Sequence, residues 1–191
     1  MLELARKLST LRGERYAGAV IAKVEWRRDD DRKAASESLR IVKDRHGLVT
    51  AEAKDGTATL LATLLLHGAI RNPSFADPLE KQNKPREYSS SDIWHAFSKA
   101  EIMAFVKAAE DTNELHRGDH PIVPGLLILK QLLAEESFCN CTRLRLKFHH
   151  VAFAGEPLRL TQSKDSLQIL SHEKLLCDGA MNLEKNETKD V

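Results

Sequence analysis

Apolar and polar positions follow two rhythms along this chain, and the rhythms appear in the same order twice. Leu4, Ala5, Leu8 and Leu11 fall at helical spacing, which predicts a short amphipathic helix over residues 2–11. Strand-like runs follow. In AVIAKVEW (19–26), Val20, Ala22, Val24 and Trp26 share one face. A charged turn, DDDRK, leads to SLRIV (38–42) and LVTAEA (48–53). Asp55-Gly56 is the strongest two-residue hairpin signal in the chain. TATLLATLLLH (57–67) is nearly all apolar, which predicts a central strand, although its leucines also suit a helix.

Residues 73–91 carry three prolines and a serine triplet without any period, and read as a linker. Helical spacing then returns. Ser98 and Glu101 make a capping box ahead of Ile102, Phe105, Val106 and Ala109. Pro124 stands where a helix can begin, because its missing amide proton costs nothing there. GLLILKQLLAEES (125–137) is apolar on nearly every side of its first turns, so it reads as a buried helix. Four strand runs follow: 142–149, 157–162, 166–170 and 174–183. In the first, Leu144, Leu146 and Phe148 point inward and Arg143, Arg145 and Lys147 outward. Each half is thus a helix and then four strands, a weak internal repeat. A buried helix wrapped by an antiparallel sheet describes the hot-dog fold, although packing alone permits other α+β arrangements. The expected class is therefore α+β, a degenerate double hot dog. Its N-terminal half spans residues 1–72 and its second hot dog residues 92–191.

Composition narrows the function. Apolar residues make up 42% of the 191, enough for a real core. Lys+Arg (29) nearly cancels Asp+Glu (28), which gives no argument for nucleic acid or an anionic membrane. The longest apolar run is too short to span a bilayer, and the N-terminus does not read as a signal peptide. Three cysteines without a spaced framework fit a reducing, cytoplasmic setting, with no metal at CNC (139–141). No metal or cofactor is expected elsewhere.

The polar segment DTNELHRGDHPIVPG (111–125) is longer and richer in chemistry than a plain helix connector needs. FVKAAEDTNELH (105–116) resembles the signature of the MaoC-like family of (R)-specific enoyl-CoA hydratases. That signature has an aromatic residue, a short apolar stretch, Gly-Asp-x-Asn-Pro, an aliphatic residue and His. Asp111, Asn113, Leu115 and His116 match; Glu110 stands in place of Gly and Glu114 in place of Pro. HRGDHPIVPGLL (116–127) is similar to the β-hydroxyacyl-acyl carrier protein dehydratases of the same superfamily, through His116, Pro121, Pro124 and Gly125. Those enzymes carry a catalytic Glu on the following helix, where this chain has Lys130, so the acid falls to Asp111.

The resemblance implies reversible hydration of an enoyl thioester, or dehydration of a 3-hydroxyacyl thioester, carried by coenzyme A or acyl carrier protein. It implies Asp111 and His116 as the dyad on the water, and an acyl thioester as the partner; from the charge balance and the short apolar runs, no nucleic acid and no membrane are expected. Asn113 is expected to orient the loop by an Asx-type hydrogen bond. The Gly125 amide, at a helix start with no intrahelical acceptor, is the expected oxyanion donor. Pro124 and Leu126 are expected to contact substrate, and Arg143 and Arg145 to meet the coenzyme A phosphates. His149 and His150 read as solvated residues at a strand end. A homodimer is expected. Two other functions fit the same pattern, a hot-dog acyl thioesterase and a non-catalytic acyl-thioester-binding module. Glu110 and Glu114 favour the second, because added negative charge beside Asp111 would disturb the dyad.

Overall fold

The computed structural model describes residues 1–29, 37–66 and 93–184. The linker expected over residues 73–91 lies outside them. Among the described residues, eight strands form one antiparallel sheet. They are β1 (Val20–Arg28), β2 (Ser38–Arg45), β3 (Leu48–Lys54) and β4 (Ala58–Leu65), then β5 (Cys141–Phe148), β6 (Leu158–Gln162), β7 (Ser166–Ser171) and β8 (Lys174–Leu183). Their order across the sheet is β2-β3-β4-β1-β5-β8-β7-β6. The second half is the first half turned about the sheet centre, where β1 pairs with β5. Helix α1 (Leu2–Ser9) precedes the first set of strands, and α2 (Lys99–Ala108) and α3 (Gly125–Ala134) precede the second.

Local chemistry explains these elements. The capping box of α2 is complete: the Ser98 hydroxyl accepts from the Glu101 amide, and the Glu101 carboxylate accepts from the Ser98 amide. The β3–β4 hairpin turns where Asp55-Gly56 placed it. The Asp55 carboxylate accepts from the amides of Thr57 and Ala58, and Gly56 supplies a φ of 89°. Residues 58–65 form a strand paired on both sides, not a helix. Gly179 on β8 lets strands pass closely, since a side chain there would meet the Arg145 carbonyl and Leu146 at 2.8 Å.

Helix α3 buries Leu126, Leu127, Ile128, Leu129 and Leu132 against the inner face of the sheet, to which Val24, Trp26, Leu144 and Leu146 contribute. α1 buries Leu4, Ala5 and Leu8 in the same core. The pattern of β1 differs from simple alternation. A bulge between Ile21 and Lys23 slips the register, so Ile21 packs on the core where alternation had named Val20 and Ala22. Helix ends also retreat: α1 stops at Ser9 and α3 at Ala134, followed by a 3-10 turn over Glu136–Phe138.

Candidate active site

The loop after α2 is built by backbone capping. The Asp111 amide donates to the Val106 carbonyl (2.9 Å) and the Glu110 amide to the Lys107 carbonyl (3.2 Å), the paired bonds of a Schellman motif. That motif puts Glu110 in the left-handed region, φ 54°. Glycine suits this position because it has no Cβ to clash, whereas an L side chain there costs about 1–2 kcal/mol. We predict that Glu110→Gly stabilises the protein by about 1 kcal/mol, read as a higher denaturant midpoint. An unchanged or lower midpoint would contradict the strain assigned to Glu110.

The next residues are locked in sequence. Asp111 Oδ1 accepts from the Asn113 amide (2.9 Å), and Asn113 Oδ1 accepts from the Leu115 amide (3.2 Å). Asn113 Nδ2 donates to the Ala19 carbonyl (2.8 Å), tying the loop to the start of β1. His116 closes a 3-10 turn over Glu114–His116, and its Nδ1 lies 2.8 Å from the Ile122 carbonyl. A carbonyl only accepts, so Nδ1 carries the proton and Nε2 presents a lone pair. Nε2 faces Asp111 Oδ2 at 3.8 Å. Arg117 steadies the loop by donating to the Asp111 carbonyl (2.8 Å).

His116 is buried, 9% exposed. Burial pushes its pKa below the ordinary 6.5, partly offset by the Asp111 carboxylate and the Ile122 carbonyl, while Arg117 adds to the depression. The ring is therefore neutral at pH 7, ready to accept a proton. Glu110 and Glu114 point into solvent, and the charges that move the His116 pKa are those of Asp111 and Arg117.

Asp111, Asn113, His116, Gly125 and Leu126 line one cavity of about 200 Å³. Gly125 opens α3, with Pro124 as its N-cap. The Pro124 carbonyl accepts from the amides of Leu127 and Ile128, which leaves those of Gly125 and Leu126 without a partner among the described residues. A Cβ on Gly125 would lie 3.1 Å from the Phe148 ring and 3.6 Å from Ile21 Cβ, so only glycine fits there without displacement.

Arg143 and Arg145 lie on the outer face of the sheet, not in the cavity. Both donate to the Glu25 carboxylate, at 2.8 and 3.1 Å from their Nε atoms. Burial alone would raise the pKa of Glu25, but these two guanidiniums outweigh it and hold the carboxyl below its usual range. Pro124 caps α3 and does not line the cavity. His150, read as a solvated strand end, is exposed but lines the cavity, as do Arg12 and Tyr16 from the N-terminal half. No local sequence signal marks these three. Arg12 and Tyr16 arrive with the segment whose Ala19 carbonyl accepts from Asn113, and His150 with the segment whose Ala152 carbonyl accepts from the Val123 amide. Lys130 is exposed and lies outside the cavity.

A buried helix laid along an antiparallel sheet, with a second helix-and-strand set completing that sheet, defines a double hot-dog protein. Solved structures share the fold. HtdX from Mycobacterium tuberculosis superposes with a TM-score of 0.56 at 15% identity, covering 88% of this chain and 78% of its own. A MaoC-like dehydratase from Phytophthora capsici gives 0.53 at 12% identity, covering 92% and 72%. The peroxisomal multifunctional enzyme type 2 of Drosophila melanogaster gives 0.53 at 16% identity, with 86% of this chain matched to 37% of that longer one. No family model matches the sequence, and no curated protein sequence does. At these identities the likeness is one of fold.

Proposed function

We propose that the protein adds water reversibly to an enoyl thioester, the reverse direction being dehydration of a 3-hydroxyacyl thioester. The observation that carries this reading is the 3.8 Å pairing of Asp111 Oδ2 with His116 Nε2, in one cavity with the unpartnered Gly125 amide. Two acceptors at that spacing both reach one oxygen placed about 2.8 Å from each. A water held there has both protons engaged and a lone pair free for the β-carbon.

The chemistry then divides between these groups. The dyad takes a proton from the water as its oxygen bonds to the β-carbon, and electron density moves to the thioester oxygen. The Gly125 amide, strengthened by the positive end of α3, stabilises that oxygen. The dyad returns the proton to the α-carbon on the same face, so water is added across the double bond without a change in oxidation state. If His116 carries the proton, Asp111 and the Ile122 carbonyl stabilise the imidazolium. That a MaoC-like dehydratase has the same fold supports this class of reaction.

The test uses crotonyl-CoA, following the conjugated absorbance and free thiol together. Absorbance lost without thiol is the expected result. Thiol release would replace this reading with thioester hydrolysis, and binding without either change would make the site non-catalytic.

The acidic limb of kcat/KM provides a separate check. His116 titrates below its ordinary value because of burial, so the midpoint of that limb should lie below pH 6.5. The same depression adds stability that is present above 6.5 and lost as pH falls, because the unfolded chain takes up the proton first. An acidic limb centred above pH 7 would exclude a buried neutral His116 as the base.

A further inference from the structure

The cavity that holds the dyad is small, and its lining is unevenly exposed. Arg12, Gly13, Ala17, Thr112 and His150 are its solvent-facing lining residues. Leu8 of α1, Leu64 of β4 and Ile128 of α3 are among its buried apolar ones, none more than 7% exposed. Leu8, Leu64 and Ile128 thus form part of the side of the cavity that is closed to solvent.

Size sets how much of a substrate fits. A dry cavity of about 150 Å³ takes benzene, on the order of 25 Å³ per heavy atom. On that scale a cavity of about 200 Å³ holds about eight heavy atoms. The thioester oxygen and sulfur take two places, leaving about six for carbon.

Resting on the thioester reading above, we infer that the substrate is a short acyl thioester of up to about six carbons, with Leu8 as the wall that excludes longer chains. Leu8 belongs to α1, which stands before β1 as α3 stands before β5. The helix of the N-terminal copy thus packs its own side chain where more of an acyl chain would otherwise lie. This is a specificity role for the copy that carries no counterpart of the Asp111–His116 loop.

Binding of saturated acyl-CoAs to the full chain tests this without requiring turnover. Acetyl-, butyryl-, hexanoyl-, octanoyl- and dodecanoyl-CoA would be compared by titration calorimetry. Each methylene that finds room strengthens binding about fourfold. The expected series tightens through hexanoyl-CoA and gains nothing further at octanoyl or dodecanoyl. Leu8→Ala moves the break to octanoyl-CoA. Affinity that keeps rising through dodecanoyl-CoA, or that ignores chain length, overturns the inference. A break that stays in place in a folded Leu8→Ala protein removes Leu8 as the wall; if that variant does not fold, the wild-type series decides. A break at hexanoyl-CoA in a protein that fails to hydrate crotonyl-CoA sinks the hydratase reading alone. Hydration with a break at longer chains sinks the chain-length limit alone.

Discussion

Asp111→Asn is expected to slow enoyl-thioester hydration by about 10²–10⁴-fold, the range that a positioned acid–base group supplies, while the fold is kept. The two oxygens of Asp111 have separate duties. Oδ1 accepts from the Asn113 amide and shapes the loop; Oδ2 faces His116. Asparagine keeps an oxygen for the first duty and puts an amide donor in place of the second. The variant therefore loses the ability to take a proton from water but retains its loop, and its thermal unfolding should match the wild type closely. The measurement is the crotonyl-CoA rate beside a melting curve. A near-wild-type rate would remove Asp111 from the chemistry. A lost rate with a collapsed melting temperature would show a structural role instead.

The second large effect is expected at Gly125. Alanine there already places its Cβ 3.1 Å from the Phe148 ring, tighter than ordinary contact. Valine adds two methyl groups in the same space, where Ile21 also stands. Phe148 or the first turn of α3 must move, at a stability cost of about 1–3 kcal/mol. The amide survives the substitution, but its aim and the path to it do not. We predict that Gly125→Val lowers kcat/KM by about 10²–10³-fold, comparable to losing an oxyanion donor, with kcat falling along with affinity. A folded Gly125→Val protein with wild-type kcat would mean that the thioester oxygen does not approach this amide.

Much of this architecture was legible in the sequence because it depends on short-range chemistry. The Ser98–Glu101 box, the Asp55-Gly56 turn and the apolar run after Pro124 act within a few residues, and each formed where expected. The repeat was visible because helix and strand periods recur in the same order. The loop motif also brought Asp111, Asn113, His116 and Gly125 to one cavity. Of its two departures, Glu110 and Glu114, the first has a structural meaning, a left-handed position that glycine would hold without strain.

What was not legible depends on distant pairing. Arg143 and Arg145 look like free cations on a strand until β1 brings Glu25 between them, 118 and 120 residues away. Alternation cannot reveal the bulge near Ala22, because a bulge is a property of two strands together. Arg12 and Tyr16 reach the cavity only through the folding of one half against the other, and His150 through the bridge of Phe153 to Ile122 within the second half. Such residues carry no motif, so a reading confined to local spacing passes over them.

The central claim is that one oxygen is shared by two side chains in front of the opening of α3. Soaking 3-hydroxybutyryl-CoA into crystals of the Asp111→Asn protein, which turns over slowly, would locate that oxygen. The account expects the 3-hydroxyl within about 3.2 Å of both residue 111 and His116 Nε2, and the thioester oxygen at the Gly125 amide. A hydroxyl lying away from His116, or an acyl chain bound outside this cavity, would contradict it.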